Sequence, residues 1–260
     1  MNLDYIKSLF CYDGKNAIVT GGNQGIGKGI AMSLAKCGCN VTILGRNEKL
    51  LAETKEEIEA LGVKCETAAF DMCDEEGINK FFDEWEKTHD KLDFFINNAA
   101  YTIMKSALQT SKKEMMSLFE TNYMGSLLAI QRAAEIMKKQ NYGNIVIVTS
   151  VNALWPLPSQ GVYTTTKNAL EGLKSCLAAD LCKYNIRVNT LAPGGINTNM
   201  NAEMHNNPEV LKKIGPMIPL GHIGEIDEMG DAVVCMVSDA MRYMTGATVL
   251  VDGGLKLRLQ

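Results

Sequence analysis

The stretch NAIVTGGNQGIGKGIAMSLAKCGCNVTIL, Asn16 to Leu44, decides the fold. Asn16 to Thr20 is a short apolar run that stops at Gly21, and Ile26, Ile30, Ala31, Leu34 and Ala35 then recur at helical spacing up to Cys37. Asn40 to Leu44 is apolar again and reads as a second strand. A strand, a glycine turn, a helix and another strand make a βαβ unit, which pairs its strands in parallel.

The same alternation continues outward. Asn47 can cap an amphipathic helix running to Leu61, with Leu50, Leu51, Thr54, Ile58 and Leu61 on one side. Val63 to Phe70 is a third strand, Asp74 to His89 a helix with Ile78, Phe81, Phe82 and Trp85 inward, and Leu92 to Ile96 a fourth strand. A long helix is expected over Ser111 to Lys139, a fifth strand over Asn144 to Ser150, a helix over Gln160 to Tyr184 and a sixth strand over Ile186 to Leu191. A loop and helix from Pro193 to Ile214, a helix from Glu225 to Ser238 and a last strand from Ala247 to Val251 complete the pattern. These lengths predict a Rossmann-type, doubly wound parallel sheet of about seven strands with helices on both faces. One domain over residues 14–260 accommodates it, preceded by a surface arm or short helix over 1–13.

Composition narrows the function. A hydrophobic share of 46% and a charged share of 22% describe a globular chain, and the apolar runs are strand-length rather than membrane-length. Net charge is −4 with both signs interspersed, so no basic footprint for nucleic acid or an anionic membrane is present. The N-terminus does not read as a signal peptide, and the expected location is cytoplasmic. The eight cysteines sit mostly among apolar neighbours and read as buried, reduced thiols. Neither they nor the isolated His89, His205 and His222 stand at metal-site spacing, so no metal is expected.

Two places carry chemistry. Gly21, Gly25 and Gly27 form a G-x-x-x-G-x-G turn where a phosphate would meet the unpaired N–H groups of a helix N-terminus. The spacing departs from the general G-x-G-x-x-G fingerprint, and a tight connection alone would also explain it. At the end of the second strand, where the adenine ribose would lie, stands Arg46 rather than a carboxylate. A guanidinium there favours the 2′-phosphate of NADP(H), while NAD(H) stays open, as does a plain capping role for Arg46. Further on, Tyr163 and Lys167 lie one helical turn apart, and an ammonium beside a phenol favours its ionised form. The pair on its own also fits a core Tyr beside a solvated Lys.

Together these motifs resemble the short-chain dehydrogenase/reductase family in its compact branch, over residues 14–255. The turn Thr20 to Gly27, Asp71 after the third strand, Asn97-Asn98-Ala99-Ala100 in place of N-N-A-G, and Asn122 on the long helix match in order. So do Ser150, Tyr163 and Lys167 at S-x12-Y-x-x-x-K spacing, Pro193-Gly194-Gly195-Ile196-Asn197-Thr198, and the closing Val251-Asp252-Gly253-Gly254. Ala100 for glycine adds a methyl beside the cofactor.

The resemblance implies hydride transfer between NADP(H) and a secondary alcohol or ketone. It makes Tyr163 the acid or base, Ser150 the holder of the substrate oxygen, Lys167 the partner of phenol and ribose, and Asn122 the holder of a relay water. It implies a cofactor bed of Gly21, Asn23, Gln24, Gly25, Ile26, Gly27, Arg46, Asn47, Asp71, Met72, Asn98, Ala99, Ala100, Tyr163, Lys167, Pro193, Gly194, Ile196 and Thr198.

The substrate loops contain Tyr101, Ile103, Met104, Asn152, Leu154, Trp155, Pro156, Leu157, Met200 and Met204, with Lys105 and Glu203 the charges nearby. That lining predicts an apolar alicyclic or steroid-like small-molecule substrate. A sugar-acid or polyol dehydrogenase of gluconate type and a 3-oxoacyl carrier-protein reductase are the alternatives, and a catalytically silent nucleotide-binding sensor is a third. Apolar residues around more of the two long helices than one sheet would cover predict a homo-oligomer, a tetramer or dimer as in the family.

Overall fold

The computed structural model describes residues 2–198 and 217–258. Seven parallel strands form one sheet in the order β3-β2-β1-β4-β5-β6-β7. They are β1 (Asn16–Thr20), β2 (Asn40–Gly45), β3 (Cys65–Ala69), β4 (Phe94–Asn97), β5 (Gly143–Val148), β6 (Ile186–Pro193) and β7 (Thr248–Val251). The order reverses between β1 and β4, which opens a crevice at the C-terminal strand ends where ligands bind in such sheets.

Every helix crossover carries an apolar stripe because both sheet faces must be covered. On one face, Val19 and Ile43 of the sheet meet Ile30 and Leu34 of α2 (Gly25–Lys36), Leu51 and Ile58 of α3 (Glu48–Glu59) and Val233 of a C-terminal helix, Ile226–Val237. On the other, Ile18, Phe95 and Ile147 meet Phe82 and Trp85 of α4 (Glu75–Thr88) and Ile130 and Leu170 of the two long helices. Each fully buried aromatic or branched side chain contributes roughly 1.5–3 kcal/mol of transfer free energy.

The arm is α1 (Leu3–Phe10), capped by Asn2, whose side chain accepts from the Tyr5 N–H at 3.1 Å, and none of its residues is buried. Buried Tyr12 ties it down: its hydroxyl donates to Val234 O at 2.6 Å and its ring meets Phe94 edge-on.

Three expectations change. The helix expected over Ser111 to Lys139 is broken into α5 (Lys112–Phe119), a π-helical turn at Glu120–Gly125 and α6 (Ser126–Gln140). A π turn inserts one residue, and here it carries Asn122 inward. Five cysteines, Cys11, Cys73, Cys176, Cys182 and Cys235, are exposed, and only Cys39 and Cys65 are buried, because most fall on outward helix positions or element ends. The chain after Ser150 forms a short helix, α7 (Val151–Leu154), before α8 (Gly161–Leu181). The last helix, Ile226–Val237, is α9; the loop and helix expected over Pro193 to Ile214 lie largely outside the described residues.

Candidate active site

The glycine turn is built as its sequence requires. Gly21 and Gly25 have φ of +64° and +53°, a region that side-chain-bearing residues avoid. A Cβ on Gly27 would lie 2.1 Å from Gly21 O, so the first turn of α2 can pack on β1 only without one. Gln24, at the helix cap, makes no side-chain cap hydrogen bond, which leaves the amides of the first turn to a ligand. Thr20, which the sequence reading left without a role, clasps this turn to the end of β4. Its hydroxyl accepts from Asn98 N and Ala99 N at 2.9 Å each, and Asn98 Nδ2 donates back to Thr20 O.

One cleft of about 1180 Å³ runs across the C-terminal strand ends. Every residue of the expected cofactor bed lines it except Gly27, which lies beneath the turn. Asn47 lines it while also capping α3, its side chain accepting from Leu50 N at 3.1 Å. At the far end Arg46, 73% exposed, reaches Asp71 with one contact, Nη1 to Oδ2 at 3.2 Å. Partial burial pushes the Asp71 carboxyl up, but hydrogen bonds from Cys73 and the Arg46 guanidinium overcome that and hold it below its ordinary value.

Ser150, Tyr163 and Lys167 meet at the other end of the cleft. Ser150 caps α7, accepting from Asn152 N at 3.1 Å, and its hydroxyl faces the Tyr163 phenol. Lys167 is 3% exposed, donates from Nζ to Val148 O at 2.8 Å, and stands 5.8 Å from the centroid of the Tyr163 ring. Here the sequence expectation is corrected: desolvation governs both groups. Burial raises the phenol to about 12, only partly opposed by Ser150, and lowers the ammonium to about 8. At pH 7 both hold their protons. Asn122 is wholly buried and does not line the cleft. Its Oδ1 accepts from Tyr101 N at 3.0 Å, and its Nδ2 donates to Tyr101 O and Thr166 Oγ1.

The substrate end differs from expectation in composition. Tyr101, Met104 and Asn152 line the cleft, whereas Leu154 and Trp155 do not. Leu154 sits two residues past Asn152 in a helix, so about 200° around its axis. Trp155 packs on Val151, Ile218 and Leu255, with the Lys256 ammonium over its ring at 4.6 Å. Met200, Met204 and Glu203 lie outside the described residues. Lys105 is held by Glu114 at 3.0 Å. Thr102 and Gln160, which the sequence did not single out, join the wall. Gln160 accepts from Asn152 Nδ2 and donates to Met104 Sδ. Asn152 Oδ1 and Thr102 Oγ1 are buried with no protein partner. Among the described residues, no cluster of His, Cys, Asp and Glu could hold a metal ion, and no helix is long and apolar enough to cross a membrane.

The chain has many relatives. A family model described as enoyl-(acyl carrier protein) reductase matches residues 21–256. The 3-oxoacyl-acyl-carrier-protein reductase of Aquifex aeolicus is 35% identical over 93% of this chain and 97% of its own length. Gluconate 5-dehydrogenase of Gluconobacter oxydans is 31% identical over 96% and 98%. The crystal structure of a gluconate 5-dehydrogenase from Burkholderia cenocepacia in complex with NADP and tartrate superposes with a TM-score of 0.92, at 28% identity, over 97% of this chain and 99% of that one.

Proposed function

Because this chain belongs to the short-chain dehydrogenase/reductase family of oxidoreductases, we propose that it moves a hydride between NADP(H) and a small hydroxyl-bearing substrate of sugar, sugar-acid or polyol type. The nicotinamide, when bound, supplies or accepts that hydride. The glycine turn and the N-terminus of α2 would hold the pyrophosphate, Asp71 the adenine, and Asn98 to Ala100 with Pro193 to Thr198 the nicotinamide half. Arg46 would take the 2′-phosphate. Its exposed contact with Asp71 is worth only about 0–1 kcal/mol, less than charge-assisted bonds to a phosphate.

In reduction, neutral Tyr163 gives its proton at the phenol oxygen to the developing alkoxide, while Ser150 donates to the same oxygen and orients it. The Lys167 ammonium stabilises the phenolate left behind. Both amide hydrogens of Asn122 are spent on Tyr101 and Thr166, so a relay water would donate to Oδ1 or to a carbonyl of the π turn. In this reading the presence and meeting of Ser150, Tyr163 and Lys167 speak against a silent sensor.

The feature that supports the substrate class is the polar stretch of cleft wall made by Thr102, Asn152 and Gln160. Hydrogen bonds to these side chains would each contribute about 0.5–1.5 kcal/mol, which substrate hydroxyls would gain and a steroid skeleton would not. With Leu154 and Trp155 directed elsewhere, the steroid-like expectation loses two of its apolar contacts. A 3-oxoacyl thioester is the second reading, favoured by the 35% identity to a reductase of that class and by Met104, Leu157, Pro158 and Met217 along the cleft.

Absorbance at the reduced-nicotinamide band, followed with NADPH and NADH across sugars, sugar acids, polyols, 3-oxoacyl thioesters and steroids, tests both readings. Highest kcat/KM on a hydroxylated substrate supports the first. Highest kcat/KM on a steroid overturns both.

A further inference from the structure

Helix α8 carries more than Tyr163 and Lys167 toward the sheet. At 100° per residue, Tyr163, Lys167, Glu171 and Lys174 fall within an arc of about 80°. The last two are nearly buried, with side chains 12% and 9% exposed, and pair at 3.2 Å.

The Glu171 carboxylate gathers three strands. Oε1 accepts from Thr149 Oγ1 at 2.6 Å, beyond the end of β5; Oε2 accepts from Thr190 Oγ1 of β6 at 3.0 Å and Thr248 Oγ1 of β7 at 2.7 Å. Lys174 Nζ also donates to Thr248 Oγ1, so the threonines and the ammonium surround the charge. Short O–H···O⁻ bonds of this kind are among the stronger ones in proteins.

The consequence lies in which residues are held. Three consecutive residues at the end of β5 turn to α8: Val148 is bonded through its carbonyl to Lys167, Thr149 through its hydroxyl to Glu171, and the Ser150 hydroxyl faces Tyr163. The first two are rigid ties; the third is the contact that must have the right length for proton transfer. Glu171 is not part of the cleft wall.

We propose that Glu171 is a positioning residue: through Thr149 it fixes where Ser150 stands relative to the Tyr163 hydroxyl. The inference rests on the Ser150, Tyr163 and Lys167 reading given above. A displacement of about 1 Å at a reacting group can cost on the order of a hundredfold in rate, so releasing one of two ties should be readable in kcat.

The test compares Thr149→Val, which deletes the hydroxyl at near-constant volume, with Thr149→Ser, which keeps it, and with Glu171→Met. Thr149→Val should lower kcat about tenfold while the NADPH dissociation constant, read by fluorescence, changes less than twofold. Thr149→Ser should restore kcat to within about twofold of wild type. Glu171→Met, which removes both acceptor oxygens, should lose as much as Thr149→Val, and the double variant no more than either alone, since both cut the same tie. Crystal structures of wild type and Thr149→Val should show the Ser150–Tyr163 contact lengthened in the variant, a readout that needs no substrate. A wild-type kcat in Thr149→Val with that contact unmoved overturns the proposal. So does a full kcat in Glu171→Met beside a slow Thr149→Val, because Thr149 would then act on the ligand directly. Tyr163→Phe is run alongside: full activity there sinks the catalytic reading, whereas an inactive Tyr163→Phe beside a fully active Thr149→Val sinks only the role of Glu171.

Discussion

Replacing Lys167 by Met takes a buried ammonium out of the fold and turns its desolvation into a pH-dependent stability. Lys167 is 3% exposed, and burial lowers its pKa from 10.5 to about 8. Below pH 8 both native and unfolded chains carry the charge, and the native state bears the full cost. Between pH 8 and 10.5 the native group has released its proton while the unfolded one retains it, so the unfolded state binds more protons and stability rises with pH. Above 10.5 both are neutral and the dependence ends. At about 1.4 kcal/mol for each tenfold change in proton affinity, wild type should gain on the order of 3 kcal/mol over Lys167→Met across that window. The variant also leaves Val148 O without its side-chain donor, a cost of about 1 kcal/mol that does not vary with pH. Urea unfolding of the cofactor-free proteins at pH 7 and pH 10.5, taken as the difference between wild type and variant, cancels all other titrating groups. A difference that is the same at both pH values would refute the claim that desolvation governs Lys167.

Three further outcomes follow from the geometry. Arg46→Ala should weaken NADPH about tenfold or more, the worth of a charge-assisted hydrogen bond, and leave NADH binding unchanged; equal losses for both cofactors would remove Arg46 from the 2′-phosphate. Gly125→Ala places a Cβ 1.8 Å from Met72 O, so it should lower the urea midpoint by about 2–3 kcal/mol of stability with m unchanged, and an unaltered midpoint would contradict the packing of the π turn. Light scattering at micromolar concentration should give a homo-oligomer, a tetramer or dimer, and a monomer would contradict the reading of the long-helix faces.

The fold was legible because its signals are local. Asn16 to Leu44 gave strand, turn, helix and strand with boundaries that hold to within a residue or two, since glycine turns and apolar periodicity depend on near neighbours. The π turn at Glu120–Gly125 was not, because the contacts it makes are distant in sequence, Asn122 bonding Tyr101 twenty-one residues away. The site divided in the same way. The glycines, Arg46, Ser150, Tyr163 and Lys167 were placed by motif spacing, but the protonation of the Tyr–Lys pair depends on burial, which sequence spacing does not report. The substrate wall fared worst. Reading the chain after Ser150 as a loop pointed Leu154 and Trp155 at the ligand along with Asn152, whereas the helical turn capped by Ser150 brings only Asn152 of the three to the cleft. Glu171 carries no motif signal; its place shows only in the convergence of Thr149 after β5, Thr190 within β6 and Thr248 at the start of β7.

The central claim is that the Tyr163 phenol carries the proton of the reaction. Tyr163→Phe removes one oxygen and little else, so NADPH should bind within about threefold of wild type while turnover on the best substrate of the panel falls by roughly 10²–10⁴, the usual worth of a positioned acid or base. Turnover that survives in Tyr163→Phe at the wild-type rate would contradict the account.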